Sequence, residues 1–88
     1  MRLAYSFTAL RDLSRLPKNI ARRITDKMEW FLSQEEPLSF AKPMKGNKFG
    51  DYRFRIGNYR VIVDIDHDGS VQVLFVLSIK HRKEVYRF

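Results

Sequence analysis

From Asp51 to Lys80 the chain alternates apolar and polar residues through three segments separated by two short turns, and this run decides the fold class. DYRFRI sets Tyr52, Phe54 and Ile56 against Arg53 and Arg55. YRVIVDID sets Tyr59, Val61, Val63 and Ile65 against Arg60, Ile62, Asp64 and Asp66. A period of two is the mark of a strand with one face on a core. Between the two segments, Gly57-Asn58 is a two-residue hairpin signal, and His67-Asp68-Gly69 marks a second turn. SVQVLFVLSIK is apolar almost throughout, which suits a central strand covered on both faces. Three antiparallel strands in succession follow from these spacings.

Upstream the period changes. RLAYS (2–6) reads as a short edge strand with Leu3 and Tyr5 on one face, pairing with the sheet from a distance in sequence. Phe7, Leu10, Leu13 and Leu16 then recur at helical spacing, and Pro17 stops that helix while suiting the first turn of the next. Ile20, Ile24, Met28, Phe31 and Leu32 make a longer amphipathic helix whose outer face carries Arg22, Arg23, Asp26 and Lys27; Pro37 ends it. Residues 39–50, with two glycines and a proline, read as a loop. The expected fold is α+β in the order β-α-α-β-β-β: an N-terminal strand, then a helical hairpin turning at 16–18 and packed on a small antiparallel twisted sheet. The 88 residues are expected to form one domain, 1–88. A domain of this size buries only about 60–65% of its unfolded surface. There is no cysteine, which excludes disulfides, thiolate catalysis and Cys-based zinc sites. That fits a reducing, cytoplasmic setting. MRLAYSFTAL lacks the apolar run of a signal peptide, and no stretch reaches the ~18 apolar residues of a membrane span.

Charge narrows the function. Lys and Arg number 17 against 10 Asp and Glu, for a net charge of +7. The excess sits in residues 41–88, which hold ten basic and five acidic side chains. Such a balance attracts polyanions through phosphate neutralisation and counterion release. Strand parity puts Arg53 and Arg55 on the face opposite Tyr52 and Phe54, and a tight hairpin brings Arg60 beside them. A last strand next to the middle one ends with Lys80, His81 and Arg82 at the sheet rim, with Tyr86 beyond. Guanidinium groups take phosphate oxygens bidentately, and tyrosine offers a face for a base. Spacing alone leaves this cluster balanced between an anion-binding surface and an ordinary solvated strand face.

Other patterns carry less. Asp64, Asp66 and Asp68 lack the Gly and terminal Glu of a calcium loop and read as a polar turn; His67 sits in it as an exposed residue. GNKFG (46–50) has no P-loop spacing, and Trp30 and Phe31 read as helix packing.

The segment GDYRFRIGNYRVIVDIDHDGSVQVLFVLSIKHRKEVYR (50–87) resembles the second half of the RelE/ParE superfamily of bacterial toxin–antitoxin toxins. LRDLSRLPKNIARRITDKMEWF (10–31) is similar to that family's helical hairpin with its leucine-proline turn, so the likeness covers nearly the whole chain. GDYRFRIGNYRV and HRKEVYR are its most specific parts. The resemblance implies a sheet cupping a basic groove and backed by two helices. It further implies a ribosome-dependent endoribonuclease that cuts mRNA in the A site and is neutralised by a cognate antitoxin, with operator DNA contacted only through the antitoxin complex. No metal, cofactor or membrane enters this picture.

The implied chemistry is attack of the ribose 2′-OH on the adjacent phosphate, with a 2′,3′-cyclic phosphate as product. It needs a base, an acid and cations for the developing charge. The resemblance assigns Arg60 as the phosphate clamp, Lys80, His81 and Arg82 as the basic cluster, and Tyr86 as the tyrosine that orients the substrate nucleotide. Arg53, Arg55, Lys45, Lys48 and Lys83 form the RNA- and phosphate-binding set. Arg55 departs from the pattern. It lies where a lysine would serve as base, and arginine is effectively never deprotonated. Histidine changes charge near neutrality, so His81 is the alternative proton carrier, and Lys80 a second acid. Many relatives continue past this point as a C-terminal helix; ending at Phe88 leaves regulation more to the antitoxin. Two other functions fit the same likeness: a ParE-like inhibitor of DNA gyrase, and an inactive relative acting as corepressor with its antitoxin.

Overall fold

The structure, a computed structural model, describes residues 1–44 and 50–85. Strand β1 (Arg2–Tyr5) leads into helix α1 (Phe7–Ser14) and helix α2 (Lys18–Ser33). A 3-10 turn (Pro37–Phe40) follows, then β2 (Ala41–Pro43), β3 (Tyr52–Ile56), β4 (Tyr59–Asp68), β5 (Val71–His81) and a single turn of helix, α3 (Arg82–Val85). The sheet order is β1-β5-β4-β3-β2. The α+β architecture is the expected one, and β3, β4 and β5 form the antiparallel meander. Two details differ. β1 pairs with β5 in parallel, so the sheet is mixed, and a short β2 emerges from the segment read as loop to pair antiparallel with β3. Pro43, which has no N–H to donate, sits on this outermost strand, where prolines are tolerated.

The helices cover one face. Ile24, Met28 and Phe31 of α2 pack with Phe54, Ile56, Val61, Val63, Leu74, Val76 and Ile79 in one core. Phe31 stacks on Phe54 at 4.9 Å between ring centroids. On α1 the buried position is Ala9, with Leu13 and Leu16 partly buried; Phe7 and Leu10, expected on the same face, are 82% and 54% exposed. The cause is local. Ser6 caps α1, accepting from the Ala9 amide at 3.0 Å, while its hydroxyl donates to the Leu77 carbonyl at 2.8 Å. That double tie presses α1 against β5 and fixes its rotation, so a methyl group meets the sheet.

Both hairpin turns use glycine at positive φ, Gly57 at 57° and Gly69 at 63°, as the first residue of a two-residue turn. β4 therefore runs on through His67 and Asp68, and the second turn is Gly69-Ser70 rather than His67-Asp68-Gly69.

The register of β4 and β5 breaks once. Ile62 faces Ser78, yet Val63 faces Val76, so Leu77 is an extra residue, a bulge. This resets the phase of β5. Leu74 and Val76 point to the core before the bulge, and Ile79 points there after it. Unbroken alternation from Val76 would turn Ser78 and Lys80 toward the helices; the bulge sends them to the other face.

Candidate functional site: a cationic cleft on the open face

On the face away from the helices, register lines up Arg55, Arg60 and Lys80 across three strands, Arg55 opposite Arg60 and Arg60 opposite Lys80. The next row holds Lys42, Arg53, Ile62 and Ser78. Like charges directly opposite in a sheet are destabilising, so such a row is not a packing solution. Phe40, Lys42, Arg53, Arg55 and Arg60 line a cleft of about 290 Å³. Among the described residues no carboxylate lines it, and the two ion pairs found there, Arg2–Asp68 and Arg22–Asp26, lie elsewhere.

Arg60 is the centre. It is 7% exposed, yet among the described residues its side chain is met only by carbonyls: Nη1 donates to Gly57 O at 3.0 Å and to Tyr59 O at 2.9 Å. A buried cation ordinarily has an anionic partner. The hairpin turn that supplies Gly57 O also supplies Asn58 O, which accepts from the Arg82 amide at 2.7 Å and anchors α3. One two-residue turn thus aims the central arginine and docks the segment that follows β5.

The free edge of β5 is held by α1. β1 ends at Tyr5, opposite Val76. Past that point Ser6 takes the Val76 and Leu77 carbonyls, and the Asp12 carboxylate accepts from the Ile79 amide at 3.0 Å. These contacts stand in for a missing strand immediately before Lys80.

The residues expected from sequence divide accordingly. Arg53, Arg55 and Arg60 come together, and Lys80 joins them in register. His81 does not: its parity is that of Ile79's row on the helix side, and its ring meets Tyr59 edge-on at 5.4 Å. Its Nδ1 accepts from the Lys83 amide at 3.3 Å. Its own amide donates to Glu84. Arg82 and Lys83 lie exposed on α3, at the rim. Lys45, Lys48 and Tyr86 lie outside the described residues. Lys42 and Phe40 were missed by sequence, because a three-residue strand containing a proline reads as loop until β3 pairs with it.

Elsewhere, Asp64, Asp66 and Asp68 lie on β4. Asp64 accepts from the Asp51 amide at 3.1 Å, and Asp51 accepts from the Ile65 amide at 3.0 Å. Burial, then the nearby Asp51 and Asp66 charges, push the Asp64 carboxyl above its ordinary 3.8. This pair braces the entry to β3, four residues along β3 and β4 from Arg55 and Arg60.

With this geometry in place, the chain can be set beside known proteins. A family model described as the ParE toxin of the type II toxin–antitoxin system, parDE, matches residues 3–86. Toxin RelG of Mycobacterium tuberculosis is 34% identical over 83 residues, covering 94% of this chain and 92% of its own. Toxin RelE of the same organism is 35% identical over 85 residues, covering 97% and 84%. Among solved structures, the toxin–antitoxin complex RelBE2 from M. tuberculosis contains a chain superposing with a TM-score of 0.76 at 31% identity, over 92% of this chain and 96% of that one. The RelB–RelE complex of Methanococcus jannaschii gives 0.60 at 27%, over 96% and 95%. This chain belongs to the RelE/ParE superfamily of type II toxin–antitoxin toxins.

Proposed function

We propose that this toxin is a metal-independent endoribonuclease that cuts messenger RNA on the ribosome, in the cytoplasm, and that a cognate antitoxin silences it by covering the cationic cleft. The observation that carries the reading is Arg60: a nearly buried guanidinium, without a carboxylate partner among the described residues, flanked in register by Arg55 and Lys80. That arrangement suits an anion arriving from outside. The scissile phosphate sits against Arg60, with Arg53, Arg55 and Lys42 sharing its charge. The 2′-hydroxyl gives its proton to solvent water as its oxygen bonds to phosphorus, the bond from phosphorus to the 5′-oxygen breaks, and Lys80 gives that leaving oxygen a proton. Tyr86 has the role of orienting the substrate nucleotide. Operator DNA is met through the antitoxin complex.

The test is mapping of mRNA ends by primer extension after a brief pulse of the toxin and of its Arg60→Ala/Tyr86→Ala variant. Cuts at codon positions in translated messages, absent with the variant, are expected. Growth arrest without cuts overturns the nuclease reading. The ParE description of the matching family favours one alternative, inhibition of DNA gyrase. In that case DNA synthesis stops before translation; the nuclease reading expects the reverse order.

A further inference from the structure

The cationic surface does not end at the sheet edge. Arg23 of α2 lays its guanidinium against Gly57, where an added β-carbon would lie 3.5 Å from Nη2. The carbonyl of the same Gly57 accepts from Arg60. One peptide therefore separates Arg23 from the centre of the cleft. A second bridge is aromatic. Phe40 walls the cleft, Trp30 walls a hollow on the outer face of α2, and the two rings meet edge-on at 5.3 Å. That hollow, about 560 Å³, is lined by Asn19, Arg22, Arg23, Asp26, Lys27 and Trp30. Its one carboxylate, Asp26, stands 3.9 Å from Arg22 with both side chains largely exposed, a geometry that neutralises little. Lys27 Nζ lies 4.2 Å above the Trp30 ring.

The cleft itself is at the small end of the ~300–1,000 Å³ that small-molecule sites occupy, so a strand of RNA held there must continue beyond it. We infer that the outer face of α2 is a second phosphate-binding surface, continuous with the cleft, which takes the RNA backbone adjacent to the segment held by Arg60, with Arg23 as the link. This rests on the reading of the cleft as an RNA site. The charge balance favours RNA: the lining carries three cations, Arg22, Arg23 and Lys27, against one carboxylate, Asp26.

The experiment measures binding of a fluorescent trinucleotide and a dodecanucleotide, both 2′-O-methylated to prevent cleavage, by anisotropy over a range of salt. The full chain is compared with Arg23→Gln/Lys27→Gln and with Arg60→Met. The α2 variant is expected to bind the trinucleotide unchanged. For the dodecanucleotide its slope of log K against log salt should fall by ~0.7 per phosphate contact removed, about 1.4 in all. An unchanged slope with the long RNA overturns the inference. So does an equal loss with the short one, which would mean that α2 merely supports the cleft. Normal RNA binding with lost binding of an acidic peptide assigns the surface to a protein partner and also overturns it. If Arg60→Met alters neither oligonucleotide, the failure belongs to the cleft reading instead.

Discussion

Replacing Arg60 with methionine separates what this side chain does for the fold from what it does for the cleft. Three terms set the stability change. Relief of two like-charged cross-strand neighbours, Arg55 and Lys80, returns roughly 0.2–1 kcal/mol each. Freeing a largely buried cation of its desolvation returns several kcal/mol more, at 7% exposure. Against these stand two hydrogen bonds from a charged donor, at 3.0 and 2.9 Å, each worth about 1.5–3 kcal/mol. The terms nearly offset, and the methionine stem fills the same space, so thermal stability in plain buffer should shift by no more than about 1 kcal/mol. The ligand response should not survive. An anion that binds only the folded chain stabilises it by about 1.4 kcal/mol at ten times its Kd. For a domain of this length that is about 6–10 °C in Tm. Calorimetry in rising inorganic phosphate, with chloride at matched ionic strength as control, is the assay. The native chain should gain that increment in phosphate alone, and Arg60→Met less than half of it. A loss above about 3 kcal/mol in plain buffer would refute the argument, because Arg60 would then be a structural residue. An undiminished phosphate response would place the anion elsewhere.

Three further outcomes are expected. Gly50→Ala puts a β-carbon 2.5 Å from Ile62 Cγ2 and 3.3 Å from Val63 O, so it should lower stability by about 1–3 kcal/mol, read as a lower urea midpoint at unchanged slope. Asp12→Ala should remove about 1.5–3 kcal/mol and speed exchange of the Ile79 amide, while Asp12→Asn, which keeps an acceptor, should restore most of that protection. The Tyr5 hydroxyl is buried without a partner among the described residues, and burial, then Glu29, push its pKa from 10.0 up to about 12. Because the folded state resists losing that proton, native stability should fall as pH rises from 10.0 toward 12. Tyr5→Phe should abolish that fall and raise neutral-pH stability by about 1 kcal/mol, as urea midpoints on either side of pH 10.0 will report.

Much of the site was legible because a period of two speaks directly about faces. Arg53, Arg55 and Arg60 sit where alternation put them, and Gly57 makes the turn its position announced. The rest needed tertiary information. VQVLFVLSI is apolar on both parities, so nothing in it marks the bulge at Leu77, and without the bulge the choice between Lys80 and His81 cannot be made. Phe7 and Leu10 satisfy a helical spacing as well as Leu13 does. The rotation of α1 is set instead by the Ser6 hydroxyl reaching Leu77, a partner far along the chain. Lys42 belongs to the cleft only because β2 pairs with β3. Alternation could say which way Arg60 faces, but not that it would be nearly buried there.

The placement of the charged row explains how so small a sheet tolerates it. Phe54, Val61 and Ile79 form the adjacent cross-strand row, turned to the helices and exposed by 0%, 0% and 6%. Burying three such side chains contributes about 1.5–3 kcal/mol each, several times the roughly 0.4–2 kcal/mol of repulsion between Arg60 and its two neighbours. The repulsion is thus held in place by the best-packed part of the core, on the same three strands. It follows that an arriving anion removes a strain the free chain cannot relax by moving apart. The same lever is open to any acidic segment laid along the row. Phosphate and such a segment should therefore compete for Arg60, and saturating phosphate should weaken the binding of an acidic peptide in the native chain but not in Arg60→Met.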